Sequence, residues 1–170
     1  MLSESAKMSS AAQARFRIDA PNSKPRAVKI VALDQPSEGV VKRLAQRHWN
    51  QASFLTASAF SGAPKSGQNF SMTGWLSDIA RRTKDLMEEV GSADLVVMVA
   101  SAGGNAQAAA IIGEACSAKR IMTTGLIVGD AGASDEALSK TLAQLRPWSV
   151  MLVIAGAEDY IEDMLVALRA

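Results

Sequence analysis

The chain has 170 residues, of which 48% are apolar and 21% are charged, and its 18 basic residues nearly balance its 17 acidic ones. This size fits one domain with a substantial core, and the charge balance provides no electrostatic basis for binding nucleic acid or an anionic membrane. The single cysteine, Cys116, excludes an intrachain disulfide, and the single histidine, His48, excludes a cluster of imidazole metal ligands. Because the sequence has no apolar leader and no apolar run of membrane-spanning length, we expect a cytoplasmic protein.

The amino-terminal stretch is small, polar and aperiodic, which predicts a flexible tail over residues 1–26 before a single α/β domain over residues 27–170. The β-rich run Ala27–Leu33 predicts the first strand. A helix capped by Ser37 is predicted to follow and to run to about Trp49, with His48 packed on its apolar face.

Strands and helices continue to alternate along the rest of the chain. We predict strands at Ala52–Ala57, Asp94–Ala100, Arg120–Val128 and Ser149–Ala155. Helices are predicted at Thr73–Val90, after the turn Ser101–Asn105 as far as about Ser117, at Ser134–Leu145 and at Glu158–Leu168. This order predicts a doubly wound, mostly parallel five-stranded sheet of the Rossmann-like type, with helices on both faces. The strands near Val31 and Val97 are expected at its centre because they are almost continuously apolar.

Ligands of doubly wound sheets bind outside the carboxyl ends of the strands. Two adjacent glycines, Gly103 and Gly104, follow the most apolar strand, and the amides at the start of the next helix favour an anion. We therefore expect a small anionic or nucleotide ligand, with these candidate binding residues: Asp34, Ser37, Ser101, Gly103, Gly104, Asn105 and Asp130. The sequence identifies no cofactor, no metal site and no catalytic residue.

Other interpretations of the same residues remain open. The two glycines are also compatible with a simple tight turn in which Asn105 caps the helix, and Asp34 with a turn that starts the first helix. A small enzyme would use Asp34, Asp130 or Glu158 as an acid or base in the same crevice. A third alternative is a self-association or partner module whose pocket is vestigial.

Several stretches resemble the nucleotide-binding half of the tubulin/FtsZ family. The resemblance lies in Val28–Leu33 with Val41–Leu44, Ala93–Val99 followed by Gly103-Gly104, Ile111–Ala115, Thr123–Val128 and Leu142–Ile154. The family's first glycine-rich loop is replaced here by Asp34–Gly39, and its glycine signature is reduced to Gly103–Gln107. The family's second domain, which follows a loop that supplies a catalytic acid, is not expected within these 170 residues. These departures from the family predict a non-hydrolytic domain with a ligand-binding or regulatory role, and we expect neither GTPase activity nor tubulin-like filaments.

Three further expectations concern order, association and chemistry. The Gly-, Ser- and Pro-rich segment Ser58–Ser71 is predicted to be a mobile loop near the crevice. Tyr160, Met164 and Leu168 are predicted to remain available for a partner on the last helix, which favours a homodimer or another closed oligomer. Cys116 is predicted to be an inert buried thiol.

Overall fold

The computed structural model describes residues 25–58, 72–129, 133–156 and 158–170. The strands are β1 (Val28–Ala32), β2 (Ala52–Thr56), β3 (Leu95–Ser101), β4 (Met122–Val128) and β5 (Met151–Ala155). The helices are α1 (Gln35–Ala45), α2 (Met72–Gly91), α3 (Ala108–Lys119), α4 (Asp135–Leu145) and α5 (Glu158–Ala167), and a 3-10 helix spans Arg146–Trp148. None of the described helices is both long and apolar enough to cross a membrane.

The five strands form one parallel sheet in the order β2-β1-β3-β4-β5. This confirms the predicted doubly wound α/β fold. From β1 the chain moves to one edge of the sheet, whereas from β3 it moves toward the other, so the direction switches between these two neighbouring strands. β3 has six consecutive buried residues, Leu95–Ala100, as expected for a central strand that is covered on both faces.

Helices cover both faces of the sheet. On one face α2, α3 and α4 contribute Val90, Ile112 and Leu145 to a buried cluster, and we call this the α2–α4 face. On the other, the α1/α5 face, Leu44 and Leu165 pack over the sheet. The scarcity of aromatic residues, 5% of the chain, is consistent with cores built mainly from aliphatic side chains.

The register of the central strands brings two loops together. Ile30 of β1 lies beside Val97 of β3, and the Leu33 amide donates to the Val99 carbonyl at 2.8 Å, so the pairing continues beyond the end of β1. As a result the residue after Leu33, Asp34, faces the end of β3 at Ser101. This is the position at which the fold rule places a ligand site.

The first helix differs from its prediction at both ends. It begins at Gln35 with Asp34 as its N-cap, whereas Ser37 is the third helical residue of a reciprocal capping box. It ends at Ala45 rather than near Trp49, and the Trp49 indole donates to the Leu44 carbonyl at 2.7 Å, which satisfies one of the last carbonyls of the helix. His48 therefore lies beyond the helix, and its side chain is exposed rather than packed on an apolar face.

Some of the remaining sequence-based expectations concern described residues, and others concern residues outside the described ranges. Cys116 is fully buried, as predicted. Met164 and Leu168 pack against the α1/α5 core because the last helix turns that side toward the sheet, so of the three residues predicted for a partner only Tyr160 is largely exposed. The amino-terminal tail up to residue 24, and the segment Ser58–Ser71 apart from Ser58, lie outside the described residues.

Two neighbouring isoleucines of α3 test the assignment of its buried face. Ile112 is completely buried against the sheet, whereas Ile111 is 54% exposed. We expect Ile112→Ala to lower the free energy of unfolding by about 2–5 kcal/mol, through lost transfer energy and the cavity left behind. Ile111→Ala should change it by no more than about 0.5 kcal/mol. Urea titrations of both variants check this, and equal losses would contradict the assignment.

Candidate functional site

Asp34 stands at the start of α1, immediately after the first strand. Its Oδ1 accepts a hydrogen bond from the Ser37 amide at 2.8 Å, and the Ser37 hydroxyl donates to the Asp34 carbonyl at 2.9 Å. Asp34 and Ser37 thereby pair backbone amides that the start of a helix otherwise leaves without a partner. Pro36 in the first turn has no amide hydrogen and so needs no such partner. One carboxylate oxygen of Asp34 is therefore committed to the helix.

The other carboxylate oxygen connects β1 to β3. Asp34 Oδ2 accepts from both the amide and the hydroxyl of Ser101, each at 2.8 Å. Asp34 is only 5% exposed, so these hydrogen bonds compensate for the removal of its carboxylate from water. Across the described residues, every fully buried side-chain nitrogen or oxygen atom has a hydrogen-bond partner.

The two glycines form a tight turn whose amides point into the protein. Gly103 has a φ of 80°, a left-handed conformation that side chains other than glycine rarely adopt. Its amide donates to the Ala137 carbonyl at 3.0 Å and to Thr141 Oγ1 at 2.9 Å. The Gly104 amide donates back to the Ser101 carbonyl at 3.0 Å. Both amide donors are thus engaged within the chain.

Gly104 also permits close contact with the carboxylate. A Cβ atom placed on Gly104 would overlap Asp34 Oδ2, and it would lie 2.5 Å from Ser101 Oγ. The absence of a side chain therefore allows the turn to close over the Asp34–Ser101 hydrogen bonds. The close backbone approach that the sequence predicted for a ligand is made here by the protein's own carboxylate.

The loop between the glycines and α3 uses its amides in the same way. The Gln107 amide donates to Asn105 Oδ1 at 3.0 Å, an Asx turn immediately before the helix. The Ala106 amide donates to Gln144 Oε1 of α4 at 2.7 Å. Gln107, the N-cap of α3, makes no side-chain capping bond. The structure therefore places Asn105 near the helix start but not at the cap itself.

The structure thus brings together most of the predicted binding residues. Asp34, Ser37, Ser101 and Gly104 form one hydrogen-bonded and packed unit, which we call the Asp34 bridge, with Gly103 and Asn105 in the adjoining turn. Asp130 lies outside the described residues, and the side chain of Glu158 does as well, so the acid/base alternative stays a prediction for both. The described residues contain no group of three or more His, Cys, Asp or Glu arranged to hold a metal ion.

Two residues of α4 belong to this region but were not predicted. Thr141 is fully buried and donates to the Ser101 carbonyl at 3.1 Å, while Gln144 receives the Ala106 amide. The sequence does contain a signal for Thr141, because it is a polar residue four positions before Leu145 on the apolar side of the helix. Such a position needs an internal hydrogen-bond partner.

A second polar cluster lies at the end of β2. Glu38 of α1 accepts hydrogen bonds from Lys42 and from the hydroxyl of Ser58, each at 2.8 Å, and Ser58 also contacts Thr56. Hydrogen bonding to Lys42, and secondarily to Ser58, lowers the pKa of the Glu38 carboxyl. Glu38 is therefore a carboxylate in structural contacts and is poorly suited to donate a proton near neutral pH.

Comparison with known proteins adds little to this description. No protein-family model matches the chain, and no curated protein matches it significantly. The solved structure of Smu.1420 from Streptococcus mutans UA159 aligns with 84% of this chain and 96% of that chain, at 13% identity and a TM-score of 0.37. A similarity of this degree carries no argument about function, and the resemblance to the tubulin/FtsZ family stays a prediction.

Substitution of glycine tests the packing of the Asp34 bridge. Because the new Cβ of Gly104→Ala would overlap the Asp34 carboxylate, we expect the free energy of unfolding to fall by about 1–3 kcal/mol. The control is Gly39→Ala within α1, where the nearest atom to a new Cβ is Arg43 Nη1 at 3.6 Å. That change should stabilise the helix by about 0.5–1 kcal/mol. Thermal or urea unfolding distinguishes the two, and an equally stable Gly104→Ala protein would show that the contact is looser than described.

Proposed function

We propose that the chain is a self-association module of α/β architecture, whose contact surface is the outer edge of β5. The observation that carries this proposal is the exposure of large apolar side chains there. Val150 is 77% exposed, Met151 41% and Ile154 50%, and Met122 on the neighbouring strand is 51% exposed. Large exposed apolar side chains grouped along one sheet edge are typical of interaction sites in soluble proteins.

The backbone of β5 supports the same proposal. β5 is the last strand in the sheet order, and within the described residues no strand pairs with its outer side. Monomeric proteins commonly protect such edges with lysine, proline or bulges. The segment from Ser149 to Gly156 reads Ser-Val-Met-Leu-Val-Ile-Ala-Gly and contains neither a charged residue nor a proline. Its outer edge is thus compatible with pairing to a further strand.

The opposite edge of the sheet serves as an internal comparison. β2 is also an edge strand, but Ala52–Leu55 are all half-buried, and it carries none of the large exposed apolar side chains of the described residues. The two edges therefore differ in the exposure of large apolar side chains, which is the property that favours association. We assign the contact to β5 on this difference.

The occupant that fits the β5 edge is a second copy of this chain. A twofold contact places a surface against itself, so any charge on it would meet the same charge on the partner. An uncharged apolar strand avoids this repulsion and buries its own side chains against identical ones. A partner held by charge complementarity would instead require charged groups along the strand.

The small-anion hypothesis stays a prediction, and the hydrogen bonds at the crevice weigh against it. Amides of Ser101, Gly103 and Gly104 already donate within the chain, and the Asp34 carboxylate lies where an anion would approach them. An anionic ligand would have to displace these bonds and overcome repulsion from the carboxylate. The exposed β5 edge requires no such rearrangement.

A lysine on the β5 edge tests the proposed self-association. We expect the sedimentation coefficient of the parent protein to rise with concentration toward that of a dimer. Ile154→Lys should remain monomeric over the same range, because pairing would bury an ammonium group beside apolar side chains. The control is Ile111→Lys, at a residue of similar exposure on α3, which should associate like the parent.

Two results would contradict this proposal. One is a parent protein that stays monomeric at every concentration reached. The other is an equal loss of association in both lysine variants, since that would show that the loss is not specific to the β5 edge. Circular dichroism and urea titration of each variant establish that a change in sedimentation does not reflect unfolding.

A further inference from the structure

A cavity lies at the amino end of the β5 edge, and we call it the amino-end cavity. Its volume is about 250 Å³, and it is lined by Gly113 and Ser117 of α3 and by Trp148, Ser149 and Val150 on the approach to β5. The lining contains both polar and apolar side chains. Because α3 packs on the α2–α4 face, the cavity opens on that side of the sheet.

An exposed apolar side chain, that of Ile154, lies at the carboxyl end of the same strand, on the face of the sheet where the cavity opens. Ile154 is half exposed and lies beside Ile127 of β4, whose side chain belongs to the α2–α4 core. Val150 immediately precedes β5, and its amide donates to the Thr123 carbonyl at 3.0 Å, so the pairing with β4 extends to it. Because side chains alternate along a strand, Val150, Leu152 and Ile154 share this face. The edge therefore carries a recess at one end and an exposed isoleucine at the other, on one face of the sheet.

We propose that two copies pair antiparallel along β5, so that Ile154 of each copy covers the amino-end cavity of the other. This inference rests on the proposed self-association and adds its geometry. A twofold axis brings the carboxyl end of one edge strand against the amino end of the second, and it does so twice. The two five-stranded sheets become one continuous sheet across the interface.

The exposed side chains also select the register. With the axis at Leu152, Val150 lies opposite Ile154 of the second copy, and Met151 lies opposite its Val153. A shift of one residue would set side chains from opposite faces across from each other. A shift of two in one direction would leave Val150 opposite Gly156, which has no side chain to cover it. A shift of two in the other direction would leave Ile154 opposite Trp148, which lies in the 3-10 helix before β5. Pairing about Leu152 is the register that covers the most exposed apolar groups.

Cysteine cross-linking tests this register directly. In Val150→Cys/Ile154→Cys, each new thiol faces its counterpart on the second copy, where directly opposite Cβ atoms are about 4.5–5.5 Å apart and small adjustments permit a disulfide. Within one copy the two positions are separated by about 13 Å along the strand, so an internal disulfide is excluded. The native thiol does not interfere, because Cys116 is fully buried and burial raises its pKa to about 11.

The expected result is a covalent dimer of the double variant under mild oxidation, with a peptide linking position 150 to position 154. Each single variant should remain uncrosslinked, because positions 150 and 150 of two antiparallel strands are about 13 Å apart. Val166→Cys, at another exposed apolar residue, is the control and should also remain uncrosslinked.

The outcomes separate this inference from the proposed function. Suppose that the parent dimerises in sedimentation. If the double variant then does not cross-link, or if the single variants cross-link as readily as the double one, the proposed register is wrong, whereas self-association is still supported. If the parent is monomeric, both proposals fail together. Cross-linking confined to the 150–154 pair supports both.

Discussion

The Asp34 carboxylate joins the two strands at which the chain changes direction. One of its oxygens holds the first turn of α1, and the other holds the end of β3 through the amide and hydroxyl of Ser101. Hydrogen bonds to a charged group typically contribute about 1.5–3 kcal/mol each, and a buried carboxylate without them is strongly unfavourable. The conformations of the Gly104 turn and the start of α1 therefore depend on a side chain that lies between them.

This arrangement has a consequence for function. Doubly wound proteins bind ligands at the switch point because loop amides and a helix start remain available there. In this chain a carboxylate occupies that position, and the neighbouring amides donate to Ala137, Thr141 and Ser101. Among the described residues, three of the seven large exposed apolar side chains lie at β5, namely Val150, Met151 and Ile154. These two observations together lead us to propose association at the sheet edge rather than ligand binding at the crevice.

Sequence reasoning predicted the fold well because the fold follows from short-range patterns. The apolar run of β3 and the regular alternation of elements were sufficient to predict a parallel, doubly wound sheet with β3 at its centre. The end of α1 was missed because apolar spacing continues to His48, whereas the indole of Trp49 satisfies the helix terminus at Leu44. That hydrogen bond follows from how the chain turns and has no signature in the periodicity.

The role of the site residues was harder to predict for a different reason. Asp34, Ser101 and Gly104 are as suitable for holding a phosphate as for holding one another, and only the distances distinguish the two cases. The partners from α4, Thr141 and Gln144, lie about 40 positions further along the chain, with separations of 40 and 38 residues in their hydrogen bonds. The position of β5 at the edge of the sheet was likewise not predicted, because the sequence indicated only which strands lie near the centre and not the order of the others.

We propose that the Asp34 carboxylate takes the place of an external anion at the carboxyl ends of β1 and β3. The most direct measurement follows the backbone amide resonances of Ser101, Gly103 and Gly104 during titration with inorganic phosphate and with GTP. We predict that these resonances do not move in a saturable manner with either compound, because their donors remain bound to Asp34 and to the loop carbonyls. Saturable shifts confined to these three amides would contradict the account and would restore the crevice as an anion site.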